Sequence, residues 1–404
     1  MITLLIFLAT YLVLAVGRLP WLRIDRPGAA LIGASLMVAT DAIPFDDALA
    51  SIDFRTLALL LGMMIVVANL RLAGFFRVAA AFAIRSAHGP VSLLTGVVFA
   101  SGILSALFVN DTICLVLTPI VLEVALALHR NPVPYLLGVA MGSNCGSVAT
   151  ITGNPQNMMI GSLSSIPYAK FAAALTPVAL VSLALTVLLL VLFYRQEFGS
   201  GFQVEPNLPR VRVNRVLLLK ALLTCVGMMV FFFLGWPVAR VAIVAGALLL
   251  ITRRVNPSRV YAQIDWPLLL MFAGLFIVVE SMERSAYGQA LVHYAEHLGM
   301  NTVGTLTVWS ALLSNLLSNV PAVLVFRPIV AAMSDPSLGW ITLAMSSTLA
   351  GNLTLVGSVA NLIVVQQAKG QVQISFWDYT KVGLPLGLLT LLCGVFLLEW
   401  WQTL

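Results

Sequence analysis

The chain has 404 residues, of which 60% are apolar and 9% charged, and its formal net charge is +6. A soluble domain needs roughly 25% charged residues to wet its surface, so soluble enzymes, nucleic-acid binders and disordered proteins are excluded. The apolar residues fall in runs of about 16 to 25, the length that crosses a bilayer as helix, and the chain reads as an all-α polytopic membrane protein.

In chain order the first half predicts membrane segments at 2–17, 28–44 and 53–70, an apolar pair at 91–107 and 112–128, and further segments at 133–163 and 171–194. Segment 2–17 has no basic start and no small-residue cleavage site, so it reads as a transmembrane helix rather than a signal peptide. The second half predicts 215–234, 237–252, 265–282, a second pair at 302–317 and 321–333, then 338–368 and 381–401. Two more polar stretches, 71–88 and 284–299, read as interfacial amphipathic helices. The four cysteines lie in apolar segments without CxxC spacing, which suits packing rather than a disulfide frame or a zinc site.

The halves repeat. Ile52-Asp53-Phe54 and Gly62 to Val66 match Ile264-Asp265-Trp266 and Gly274 to Val278 at an offset of 212. Ser105, Leu107, Asn110, Leu115, Val116, Pro119, Ile120 and Val121 recur as Ser314, Leu316, Asn319, Leu324, Val325, Pro328, Ile329 and Val330 at an offset of 209. Apolar bias accounts for scattered Leu and Val matches, but not for Asn and Pro in register. The chain divides into a first repeat over 1–200 (hairpin 91–128, broken helix 133–163), a cytoplasmic linker at 201–214, and a second repeat over 215–404 (hairpin 302–333, broken helix 338–368).

Lys and Arg set the orientation. With each apolar pair treated as a re-entrant hairpin, every Lys and Arg except Arg55, Lys170, Arg240, Arg284 and Arg327 falls on the cytoplasmic side. Asp41, Asp46, Asp47, Glu280, Glu283, Glu296 and Asp335 fall outside, and both termini come out external. The positive charge is thereby accounted for as a topology signal, with no nucleic-acid partner implied. Segments 28–44 and 237–252 then cross in opposite senses, so there are two inverted-topology repeats of five transmembrane helices each. That architecture belongs to secondary transporters, because one set of helices can form two mirror-related states.

The chemistry concentrates in polar clusters within lipid-compatible sequence. The first hairpin tip runs from Ser105 to Thr112, and the second from Ser314 to Pro321. The broken helices carry Gly142 to Asn157 and Gly351 to Asn361. Irregular backbone at membrane depth is tolerated where it lines a cavity or is buried in protein. Asn154-Pro155 is a helix start, with Asn as N-cap and Pro at the first helical position. A half-helix start offers free N–H groups to an anion, and a half-helix end offers carbonyls to Na⁺. Asp111 is the acid placed near mid-membrane, where an ionisable group reads as a Na⁺ ligand or proton carrier; its repeat mate is Val320. Asp53 and Asp265 read as N-caps of equivalent helices. Glu123 reads as reaching the inner interface, Arg327 as snorkelling outward, and His293, Glu296 and His297 as a solvated face.

These residues carry a family resemblance. Phe108 to Thr112 followed by Leu117 to Val121 resembles the first-half signature of the ArsB/NhaD/P-protein permeases. Ser143 to Ser147 with Gly153 to Asn157 is similar to their broken-helix motif, and Asn352-Leu353-Thr354 with Gly357 to Asn361 to its second-half counterpart. The resemblance spans nearly the whole chain and extends to the wider ion transporter superfamily, including citrate carriers and divalent anion:sodium symporters. It implies two re-entrant hairpins, a homodimer and elevator-type movement of the hairpin-bearing domain. The tips lack the Ser-Asn-Thr of dicarboxylate symporters, so Na⁺ sites carry over in outline and dicarboxylate specificity does not.

The resulting expectation is an ion-coupled secondary transporter of the inner membrane that moves a small organic or inorganic anion. It needs no cofactor beyond Na⁺ or H⁺ as coupling ion. Ser105, Asn110, Asp111 and Gly153 would form one cation site, and Ser318, Asn319 and Gly357 its mate. Asn144, Thr152, Asn154, Asn157, Asn352, Thr354 and Asn361 would line the anion site. The alternative reading is Na⁺/H⁺ exchange or arsenite efflux.

Overall fold

Four helix starts in this chain share one device. At Asn131, Asn154, Asn256 and Asp335 a side-chain oxygen accepts a backbone N–H of the first turn, and proline follows at the next position. Proline has no N–H to leave unpaired there and its φ is already helical. The computed structural model describes residues 1–19, 23–85, 87–199 and 213–403. The expected linker at 201–214, with Arg210 and Arg212, lies outside the described residues apart from Val213 and Asn214, as do the side chains of Arg18, Arg85 and Glu296.

The first half begins with α1 (Ile2–Val16), an antiparallel pair of two-residue strands (β1, Arg18–Leu19; β2, Ile24–Asp25), and α2 (Arg26–Ala39). A short α3 (Phe45–Ser51) precedes α4 (Phe54–Ala73) and α5 (Phe75–Arg85). The hairpin arms are α6 (Pro90–Leu107) and α7 (Asn110–Ala127). The broken helix is α8 (Pro132–Ser147), a 3₁₀ turn at Ile151–Gly153, and α9 (Pro155–Ser164). α10 (Tyr168–Phe193) and a single turn, α11 (Arg195–Phe198), close the half.

The second half repeats the order: α12 (Arg215–Phe233), α13 (Val238–Leu250), a short α14 (Pro257–Tyr261), α15 (Trp266–Glu283), α16 (Ala286–His297), hairpin arms α17 (Val303–Leu317) and α18 (Asn319–Ala331), α19 (Pro336–Ala350), a 3₁₀ turn at Leu355–Gly357, α20 (Val359–Ala368) and α21 (Phe376–Gln402). Seven of these helices are long and apolar enough to cross a membrane, among them α4, α10 and α15. The molecule is an all-α polytopic membrane protein whose one strand pair, among the described residues, is the short ladder between α1 and α2.

Packing is reciprocal between the halves. α4 lies against α13, and α2 against α15. A side chain at Gly62 would start 2.5 Å from the Ala242 backbone, and one at Gly274 would start 2.7 Å from the Ala30 backbone. Both contacts obey the 212-residue offset, so the same close helix crossing is made twice with the partners exchanged. Asp53 at the start of α4 and Glu280 near the end of α15 border one cavity; Arg71 near the end of α4 and Asp265 before α15 border another. α4 and α15 therefore run in opposite directions. The hairpins and broken helices form a second body, with α6 and α7 on α8, α17 and α18 on α19, and α20 crossing onto α7.

Candidate functional site

Both broken helices are tied by the same amide. Asn157 Nδ2 donates to the carbonyls of Ser147 and Thr150, and Asn361 Nδ2 donates to those of Gly351 and Thr354. All three positions shift by 204 residues. The carbonyls belong to the ragged end of each first segment, where helix geometry leaves acceptors unpaired. Gly153 has no Cβ because the Ser147 carbonyl occupies that space, and a Cβ at Gly357 would fall 2.8 Å from Asn315 Nδ2.

The seven residues expected to line an anion site are engaged within the protein. Asn154 caps α9 through Asn157 N (2.8 Å) and donates to Ser147 Oγ and Thr348 Oγ1. Thr152 Oγ1 pairs with the Tyr168 hydroxyl at 3.0 Å, and Thr354 Oγ1 donates to Asn315 Oδ1 at 2.8 Å. Asn144 Nδ2 donates to Asn352 Oδ1 (2.9 Å) and Asn361 Oδ1 (3.0 Å), while its Oδ1 accepts from Asn110 Nδ2 (3.3 Å) and Ser358 Oγ (3.2 Å). Asn144, Thr152, Asn154, Asn157, Asn352 and Asn361 are buried, and none of the seven is among the residues lining the large cavity.

That cavity, of 850 Å³, is where the two hairpin tips meet. Asn110 and Asp111 line it from the first tip, Ser318 and Asn319 from the second, so these four expected residues are brought together. Ser105, Gly153 and Gly357 stand behind it, with Ser105 Oγ bonded to Ser143 Oγ at 3.1 Å. Gln156, Asn315, Ser358, Gln366 and Asp265 also line it. Gln156, Asn315 and Ser358 lie inside the polar clusters of the sequence, one residue from a group singled out there. Gln366 is one of two adjacent glutamines near the end of an otherwise largely apolar helix, and Asp265 has the sequence signature of a cap alone.

Six helices begin at this cavity: α2, α7, α9, α15, α18 and α20. Those of α7, α18 and α20 carry no side-chain cap, so their first N–H groups are available to an anion or hydroxyl oxygen. The charged residues in the lining are Asp25, Arg26, Asp111 and Asp265, three carboxylates against one guanidinium. Asp265 caps α15 through Leu268 N at 3.0 Å, as expected.

At the opposite end polar contacts join the two bodies beside a second cavity, of 710 Å³. Asp53 caps α4 and also accepts from Ser162 Oγ on α9 at 3.0 Å. Arg327 on α18 pairs with Glu280 (2.9 Å) and Glu283 (3.1 Å) on α15, and Arg284 pairs with Asp47 and Glu280. Arg327 thus sits at this end, away from the large cavity. Glu123 is exposed, and His293 Nε2 lies 3.0 Å from His297 Nε2 on an exposed stretch of α16.

The citrate transporter family model, CitMHS, matches residues 11–350. The chain belongs to that family. It is 31% identical to a silicon efflux transporter of Oryza sativa subsp. japonica, over 93% of each chain. It is 25% identical to a transporter of Dictyostelium discoideum named arsB, over 93% of this chain and 87% of that one. The solved YdaH transporter of Alcanivorax borkumensis has the same fold, with a TM-score of 0.65, 15% identity, and coverage of 100% of this chain and 97% of that one. This member of the citrate transporter family is accordingly a multi-pass membrane transporter and not an enzyme, within the ion transporter superfamily that the hairpin and broken-helix motifs resemble.

Proposed function

We propose that this chain is an ion-coupled secondary transporter that carries a small anion, an organic carboxylate or inorganic oxyanion, by alternating access. The observation that carries this reading is the 850 Å³ cavity into which both hairpin tips and the starts of α9 and α20 converge. The uncapped starts of α18 and α20 would hold the anion, and Asn110 with Asp111 would hold Na⁺ or a proton. Ser318 and Asn319 would serve as the mate site, with a smaller share because Val320 replaces the acid.

Residues 1–200 and 215–404 are read as inverted repeats joined by the linker at 201–214. The antiparallel course of α4 and α15 and the exchanged glycine contacts support this. By the positive-inside rule, the Asp265 end is cytoplasmic and both termini are external. On this reading the large cavity faces inward in an inner-membrane protein, and the Asp53–Ser162 and Arg327–Glu280 contacts join the two bodies on the outer side. Exchange of states would move the hairpin-bearing body as an elevator past a scaffold of α1–α4 and α12–α15 in a homodimer.

A second reading is Na⁺/H⁺ exchange, or efflux of an arsenite-like solute. The excess of carboxylates over guanidinium in the cavity favours it. Proteoliposome uptake separates the two. An inward Na⁺ or proton gradient that drives labelled citrate, succinate, phosphate or arsenate into vesicles supports anion transport. Ion exchange with no anion present supports the second reading, and no ion-driven flux of any kind overturns both.

A further inference from the structure

The amides around Asn144 leave no choice of orientation. Asn361 Nδ2 faces two backbone carbonyls, Gly351 O at 2.7 Å and Thr354 O at 3.3 Å, which only accept. Its Oδ1 must then take an N–H from Asn144, at 3.0 Å. Asn352 likewise turns Nδ2 to Met141 O and Cys145 Sγ, and its Oδ1 takes the other Asn144 N–H at 2.9 Å. Asn144 Oδ1 is left to accept, and Asn110 must offer Nδ2 to it. The chain of amides therefore ends on Asn110 Oδ1, a buried oxygen with no hydrogen-bond partner in a residue only 4% exposed.

A buried orphan acceptor has lost its water without a replacement, and native proteins keep few of them. At the second tip the equivalent atom is satisfied, because Asn319 Oδ1 accepts from Ser314 Oγ at 2.9 Å. Of the two mate asparagines, the one with the unpaired oxygen is thus the one beside Asp111.

We infer that Asn144 is the positioning residue of the coupling-ion site: anchored by the second repeat through Asn361 and Asn352, it holds Asn110 Oδ1 toward a monovalent cation shared with Asp111. This rests on the ion-coupled reading above and adds to it a route between halves. Hard cations take oxygen ligands, amide carbonyls included, and an outer partner that fixes a ligand's orientation matters nearly as much as the ligand. Asn110, at the proposed ion site, and Ser358, at the start of α20 in the cavity wall, both donate to the single side-chain oxygen of Asn144.

The test is Na⁺ half-saturation of thermal stabilisation, with choline as control, on the purified full chain. Asn144→Ala should raise the half-saturating Na⁺ by about tenfold or more, because the Asn110 amide is then free to turn. Asn110→Asp alone should also weaken Na⁺, since its oxygen would face the oxygen of Asn144. Added to Asn144→Ala it should restore Na⁺ binding, because a carboxylate presents an acceptor in either orientation. A merely structural Asn144 gives no such rescue. Asn144→Ser replaces the alanine variant if that one does not fold. An unmoved half-saturation, absence of rescue, or an unmutated protein that ignores Na⁺ would each overturn the inference. The transport reading fails separately, if the unmutated protein shows no ion-driven flux.

Discussion

Asp111 occupies the first turn of α7, where an acid complements the helix dipole, yet it also faces the cavity. Capping alone would leave transport indifferent to its charge. Asp111→Asn is expected to abolish ion coupling or displace its pH dependence while preserving the fold, as read by gradient-driven uptake in proteoliposomes. Unchanged Na⁺ and pH dependence would remove the carboxylate from the mechanism. The contact between Arg327 and two acids on α15 belongs to the same scale. Its side chain is 24% exposed, so solvent screens the pair only in part. Arg327→Ala should loosen the Asp53 end and raise the reactivity of a cysteine placed at Ser318 toward an impermeant thiol reagent added from that side. Equal reactivity with and without Arg327 would make the ion pair a bystander.

Each broken helix depends on a glycine at which the chain doubles back. A methyl at Gly153 would meet the Ser147 carbonyl, a backbone atom that cannot swing aside. Gly153→Ala should cost about 1–3 kcal/mol or more, seen as a lower melting temperature, with a greater loss than Gly304→Ala, where nothing lies within 4 Å. Asn154→Ala should cost about 0.5–2 kcal/mol through the lost cap. These elements were legible in the sequence, because a continuous lipid-facing helix gains nothing from clustered Gly, Asn and Pro, whereas a helix break at membrane depth requires them. The partner of each amide was not. Asn110 and Asn144 look alike in sequence, each in a polar cluster at membrane depth. Which one keeps a free oxygen is decided by Asn361, oriented by carbonyls of its own broken helix and brought to Asn144 from 217 residues away only by the fold. Gln366 and Asp265 escaped for a similar reason, since a glutamine near a helix end and a capping acid acquire a role only when a cavity opens beside them.

The whole molecule makes one contact at the Asp53 end whose counterpart at the Asp265 end is unmade. Asp53 and Asp265 are mates at an offset of 212, and Ser162 and Gln366 are mates at 204. Asp53 holds Ser162 at 3.0 Å, whereas Asp265 and Gln366 border the open cavity. Inverted repeats that exchange conformations would swap these states. The decisive measurement is disulfide trapping in membranes of two double variants on a background lacking the native cysteines, Asp53→Cys with Ser162→Cys and Asp265→Cys with Gln366→Cys. Alternating access predicts that both pairs form cross-links, that each stops transport reversibly, and that they expose a cysteine at Ser318 to opposite sides of the membrane. Cross-linking at Asp53–Ser162 alone, or exposure of Ser318 to the same side in both, would contradict it.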